Sequence, residues 1–351
     1  MEEYQQSADA LKAAMRQLPY LSADLPGIGG AIKEEPEHFQ VEEVLPYAAC
    51  GQGEHLYVTL RRKLWNTADV AAALGKCFGL KSADIGWGGR KDKQAVTTQT
   101  FSLLLPLSMP MEEIRARLSA LPFEILDLNR HRNKIKTGHV AANRFRILLS
   151  QTAPGSIVQA QAIAAAVLQR GLPNFFGEQR FGREMSNLDR AMGMVAKKHS
   201  PRSKQDDLMV SALQSALFNL WLTRRMARGH GNQIIAGDVA QKTDTGGLFV
   251  VEDLVEAQQR FSQSAIVYTG PIFGFKMKAA ALEAASFEQQ ILDEFQMDSG
   301  TFKQLKAPGS RREALLRLPD LAVKPVEAGL WFSFTLPAGA YATTVLREFM
   351  R

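Results

Sequence analysis

The stretch GRKDKQAVTTQT, Gly89 to Thr100, sets one carboxylate, Asp92, between Lys91 and Lys93, with Arg90 just before them. Nearby positive charge favours the ionised form of a carboxylate even where it is partly buried. An ionised carboxylate in a loop can serve as a nucleophile, a general base or a metal ligand, and a solvated charge cluster is the plain alternative. Metal-assisted phosphodiester cleavage needs several converging acids, for which Glu34, Glu35, Glu37, Glu42 and Glu43 are available. Strand alternation scatters them over two faces, and lysines beside the acid disfavour a Mg²⁺ site. GWGGRKDK lacks the GxxxxGK[ST] spacing, and no GxGxxG follows a strand and opens a helix, so nucleotide-dependent chemistry drops out.

The chain that must position this loop has 351 residues, room for two domains, since single cores stop growing at about 250 to 300 residues. With 46% hydrophobic and 22% charged residues it has the composition of a folded protein. Lys and Arg number 42 against 36 Asp and Glu, a formal charge of +6. That balance favours a polyanionic partner, nucleic acid ahead of an anionic membrane surface. No apolar run approaches the roughly 20 residues of a membrane span; the longest, near Phe101 to Met111, is broken by Pro106 and Pro110. The N-terminal MEEYQQSADALKAAMRQLPYL begins acidic and reads as an amphipathic helix rather than a signal peptide. Only Cys50 and Cys77 occur, without CxxC spacing, and the six histidines are scattered. Neither a disulfide framework nor a metal site is expected, and a reducing cytoplasm fits.

Around residues 30 to 60, IKEEPEHFQVEEVLPYAACGQGEHLYVTLRR reads as two strands about a Pro/Gly-marked turn. Asn66 and Thr67 can cap the helix ADVAAALGKCFGL, which Gly79 ends. Strand, strand, helix opens an α+β domain. The glycines of DIGWGG then lead through the charged cluster into the β-prone VTTQTFSLLL, so Asp92 falls in a loop entering a strand. FEILDLNRHRNKIKTGHVAANRFRILLS offers two further strands with a turn at Gly138. Between Asn129 and Arg146 it carries Arg130, Arg132, Lys134, Lys136, Arg144 and Arg146 and no acid. A backbone-phosphate site is the expectation for that basic hairpin, and a strand edge protected by charge is the alternative.

The helix IVQAQAIAAAVLQRG ends at Gly171, and LPNFFGEQRFG marks a boundary, after which the text turns helical to about Pro319. GLWFSFTLPAGAYATTVLREFM returns to strand and helix, and a lone strand needs a sheet to join. The expected division is a first domain over residues 1–170, an insertion over 171–318, and a return to the first domain over 319–351.

GRKDKQAVTTQ resembles the GxKDxxAVTxQ signature of the TruD family of tRNA pseudouridine synthases, with Gly89, Lys91, Asp92 and Ala95 on the fixed positions. Similar segments follow the family's order: EPEHFQVEEV around Phe39, ANRFRILL around Asn143 and Phe145, PNFFGEQRFG, and LPAGAYATTVLREF. The resemblance implies a pseudouridine-synthase catalytic domain, a mixed α+β fold on a mainly antiparallel sheet, interrupted by an inserted α/β domain. It implies isomerisation of uridine at position 13 of tRNA, with no cofactor or metal, Asp92 on the catalytic aspartate, and Phe39, Asn143 and Tyr341 lining the uridine pocket. Phe145 stands where many pseudouridine synthases carry tyrosine; plain core packing is the alternative for all three rings. Two positions depart from the family pattern: His38 replaces an aspartate, and Tyr341 replaces a phenylalanine, keeping a ring and adding a hydroxyl.

Lys33 is the candidate cation to pair with Asp92. Arg90, Lys91, Lys93, Arg130, Arg132, Lys134 and Lys136 are candidates for holding RNA, and Arg180 for holding RNA or a domain junction. The expected partner is the tRNA substrate, with no membrane and no obligatory protein partner. A catalytically silent RNA-binding protein of this fold and a metal-dependent nuclease are the alternatives.

Overall fold

The computed structural model describes residues 2–351. In chain order its strands are β1 (Phe39–Val44), β2 (His55–Lys63), β3 (Ile85–Trp87), β4 (Val96–Leu104), β5 (Glu124–His131), β6 (Ala142–Leu149), β7 (Leu172–Pro173), β8 (Val239–Lys242), β9 (Leu248–Val250), β10 (Ile266–Ile272), β11 (Ser310–Glu313), β12 (Leu315–Leu316), β13 (Ala322–Val326) and β14 (Gly329–Pro337). Its helices are α1 (Glu2–Arg16), α2 (Thr67–Phe78), α3 (Met111–Leu118), α4 (Ile157–Arg170), α5 (Ser186–Ala196), α6 (Lys204–Ala227), α7 (Leu254–Ser262), α8 (Leu282–Glu294), α9 (Ser299–Gln304) and α10 (Ala342–Arg347). Among the described residues no helix is long and apolar enough to cross a membrane.

Two compact units divide the chain. One holds residues 25–165, 318–342 and 349–351; the other holds 1–24, 166–317 and 343–348. The first is built on an eight-stranded sheet in the order β13-β14-β6-β1-β4-β2-β5, with β3 beside β4. Only β1 and β4 run parallel in it; every other pairing is antiparallel. Alternation on β2 turns Leu56, Val58 and Leu60 to one face, where they meet Phe101 and Leu103 of β4, Val70 and Leu74 of α2, and Ile114 of α3. Full burial of each such side chain contributes about 1.5–3 kcal/mol. Asn66 caps α2 by accepting from the Asp69 backbone N–H at 2.9 Å, and Gly79 stops the helix with a left-handed φ of 69°.

The expected hairpin over residues 129–146 is not formed. β5 pairs with β2, whereas β6 lies between β1 and β14, so three strands separate them. The connection crosses the sheet instead of turning back. Its Ile135 is fully buried with its N–H on Ser102 Oγ (2.9 Å), its Gly138 N–H donates to the Gly88 carbonyl (2.8 Å), and its Ala141 N–H reaches the Val44 carbonyl (2.9 Å). A Cβ on Gly86 would overlap the Ile135 carbonyl oxygen and one on Gly88 would crowd Val140, so the glycines before the charged cluster give this crossing chain its room.

In the second unit the 24-residue α6 starts from a Ser203–Asp206 capping box and buries its centre, Leu213 to Leu222, beside β10, which β8 and β11 flank. Arg225 on α6 holds Asp238 through two bonds of 2.8 and 2.7 Å, both side chains buried. The N-terminal helix α1, grouped by sequence with the first domain, packs on α5 and α6 in this unit.

Candidate active site

Asp92 lies in the loop between β3 and β4, and its side chain is 62% exposed. Its Oδ2 is 2.8 Å from Lys33 Nζ. The same ammonium stands 4.2 Å from the centroid of the Phe39 ring, an arrangement in which the ring quadrupole attracts the cation. Lys33 follows Gly29 and Gly30 and itself takes a φ of 61°, a conformation that costs a non-glycine residue free energy and is found at sites that hold a side chain in a set place. Phe39, Phe145 and Phe334 complete an aromatic row: Phe39 meets Phe145 edge-on at 6.1 Å, and Phe145 stacks on Phe334 at 5.6 Å. The register places Val41, Phe145 and Phe334 across neighbouring strands, so they share a face of the sheet with Phe39.

Beneath the loop runs a buried polar network. Lys91, only 8% exposed, points inward: its Nζ is 2.9 Å from Oε2 of the fully buried Glu43 and donates to Asn143 Oδ1 at 2.7 Å. Gln99 donates to Glu43 Oε2 at 3.1 Å and to the Gly89 carbonyl at 2.7 Å. Its oxygen accepts from Thr67 Oγ1 at 3.2 Å, and that hydroxyl accepts from the Lys91 backbone N–H (3.0 Å) and from Arg62 Nη2 (3.1 Å). Burial pushes the Arg62 guanidinium down to about 10, and the Glu43 charge pulls it back up. The loop is thereby tied at Gly89 and at Lys91, on either side of exposed Arg90 and just before Asp92.

The other sequence candidates are spread out. Arg90, Lys93, Arg132 and Lys136 are exposed. Arg130 instead donates to the carbonyls of Glu54, Leu105 and Pro106 at 3.3, 2.7 and 3.1 Å, with burial lowering its basicity. Lys134 Nζ reaches the Ala83 carbonyl at 2.5 Å. Arg180, in the second unit, donates to Ser211 and Ser215 and lies 5.7 Å from the Phe176 ring. Tyr341 is half-buried at the junction of β14 and α10. The five glutamates do not converge: Glu34 accepts from Ser150 and Gln151, Glu35 lies 4.0 Å from His38, Glu37 pairs with Lys63, Glu42 with Arg144 and Glu43 with Lys91.

In the sequence Gln99, Arg62 and Phe334 go unnoticed, Glu43 stands only as one of five acids for a metal, and Thr67 only as a helix cap. Alternation carried the signal for two of them. In FQVEEV the buried positions are Phe39, Val41 and Glu43, and in VTTQTF Gln99 alternates with Thr97 and Phe101, so each polar side chain sat in an apolar register.

The family model of tRNA pseudouridine synthase D (TruD) matches residues 16–200 and 199–349. A tRNA pseudouridine synthase D of Anaeromyxobacter dehalogenans is 41% identical over 343 residues, covering 95% of this chain and 96% of the relative. A protein of that name from Thermus thermophilus is 39% identical over 337 residues, 95% of this chain and 92% of its own. A crystal structure from Methanosarcina mazei, described as a putative tRNA pseudouridine synthase D, matches the fold with a TM-score of 0.76 at 22% identity, over 96% of this chain and 98% of that one.

Proposed function

Because the chain belongs to the tRNA pseudouridine synthase D (TruD) family, we propose that the tRNA uridine it converts to pseudouridine is uridine 13 and that Asp92 carries the reaction. The observation that supports the residue assignment most is the Asp92–Lys33 pair standing at the end of an aromatic row. Isomerisation breaks the bond from C1′ to N1, turns the uracil, and joins C5 to C1′; the proton leaving C5 balances the one gained at N1. Nothing is oxidised or reduced. The carboxylate can attack C1′ or take a ribose proton, and either role needs an ionised oxygen that solvent and substrate reach. The Asp92 carboxyl is open to solvent: Lys33 engages Oδ2, while Oδ1 has no hydrogen-bond partner among the described residues.

Phe145 and Tyr341 hold the detached base by stacking, Phe39, buried and covered by Lys33, lines the pocket, and Asn143 hydrogen-bonds the base's edge. A uridine in a structured arm must leave its stack to reach Asp92, and exposed Arg90, Lys93, Arg132 and Lys136 hold backbone phosphates while it does. Within the second unit, Arg180 is the candidate for holding RNA. Pseudouridine mapping of cellular tRNA with and without this protein tests the position. Loss confined to position 13 is expected; loss at another position, with 13 retained, overturns it.

A further inference from the structure

We propose that Lys91 is a positioning residue that fixes the amide of Asn143 so that its N–H₂ faces the base, making the site a reader of a uracil carbonyl. The inference rests on the uridine pocket assigned above. An ammonium has three donors and no acceptor, so Asn143 must turn its oxygen toward Lys91 Nζ, 2.7 Å away. The planar amide then sends Nδ2 the other way, where it has no hydrogen-bond partner among the described residues. Asn143 and Phe145 are two residues apart on β6 and so share a face.

The rest of the network keeps Lys91 from turning. Glu43 accepts only, and it takes Lys91 at 2.9 Å and Gln99 at 3.1 Å on the same oxygen. Both amide hydrogens of Gln99 are used, on Glu43 and the Gly89 carbonyl, so its oxygen must face Thr67. Thr67 gives its one hydrogen to Gln99 and accepts from Arg62 and the Lys91 backbone. Donation runs from Arg62 through Thr67 and Gln99 to Glu43, which also accepts from Lys91, and Lys91 donates in turn to Asn143, so every donor and acceptor in the network is fixed. An outward N–H₂ matches the carbonyl oxygens of uracil at C2 or C4 and opposes the amino group that cytosine carries at C4.

The test is single-turnover conversion of tRNA bearing uridine, 2-thiouridine or 4-thiouridine at the target position, by the wild type, Lys91→Met, Asn143→Ala and the double variant. Sulfur is the weaker acceptor, so the wild type should be slower by about tenfold on one of the two thio bases, roughly the value of one hydrogen bond. Lys91→Met should be slower on uridine by a similar factor and should no longer separate uridine from that thio base. The double variant should be no slower than Asn143→Ala, because the lysine acts only through the amide. Equal wild-type rates on all three bases, thio discrimination kept in Lys91→Met, or losses that multiply in the double variant would each overturn the proposal. Should Lys91→Met fail to fold, Asn143→Asp retains the pairing with Lys91 and removes the donor; discrimination retained there is equally fatal. Wild-type turnover that survives Asp92→Asn would instead sink the pocket assignment, and this inference with it.

Discussion

Glu43 shows how far a single residue could be read from the sequence. Asp92 stood out in the sequence because the motif around it is specific, and its catalytic role is proposed on that motif and on its pairing with Lys33. Glu43 sat among five glutamates that look alike in text, and only its place in the alternation of FQVEEV separates it from Glu42, which pairs with Arg144 at the surface. Lys91 was misjudged for a related reason. Three cations flank Asp92 in sequence, but the loop turns Arg90 and Lys93 outward and Lys91 inward, and no propensity records that difference. Removing one partner of a buried ion pair leaves the other charge uncompensated. Glu43→Gln should therefore lower unfolding free energy by about 3 kcal/mol, and adding Lys91→Met should restore part of that loss. Urea denaturation measures both; a Glu43→Gln variant as stable as the wild type would show that Lys91 swings freely to water.

At the scale of elements, strand existence was legible and strand partnership was not. The apolar alternation of residues 124–131 and 142–149 marked β5 and β6, yet the glycine between them suggested a hairpin that the fold does not make. What decides the outcome is distant: Ser102 and Gly88 receive the connecting chain, and Gly86 gives it space. The basic run is accordingly divided in role. Arg130 ties three carbonyls near the sheet edge, while Arg132 and Lys136 remain exposed. Replacing Arg132 and Lys136 by Ala should weaken tRNA binding and flatten its salt dependence by about one unit per lost phosphate contact. Arg130→Ala should leave the salt slope unchanged and lower the melting temperature modestly, since it leaves the carbonyl of buried Leu105 without its 2.7 Å donor. Binding isotherms between low and moderate salt, with melting curves on the same preparations, separate the two. A steep loss of slope in Arg130→Ala would assign that residue to RNA after all.

At the scale of the whole molecule, the change of composition after LPNFFGEQRFG pointed to a second folding unit, but helical periodicity says only that a helix has an apolar face, not what covers it. Ala8, Leu11 and Met15 of α1 are buried in a unit whose other main segment begins at residue 166, a pairing across the chain that no local pattern displays. The first unit gathers Lys33, Phe39, Glu43, Lys91, Asp92, Asn143, Phe145 and Tyr341 from segments far apart in sequence. Isomerisation of uridine in tRNA by this assembly is proposed to run through the Asp92 carboxylate. Asp92→Asn keeps the size of the side chain and removes its charge, so it can neither attack nor accept a proton effectively. The decisive comparison is single-turnover release of tritium from C5 of labelled uridine in intact tRNA, at saturating enzyme, by the wild type and by Asp92→Asn. The wild type should release tritium without chain cleavage, and Asp92→Asn should be slower by orders of magnitude at undiminished tRNA affinity; release by Asp92→Asn at the wild-type rate would remove the carboxylate from the reaction.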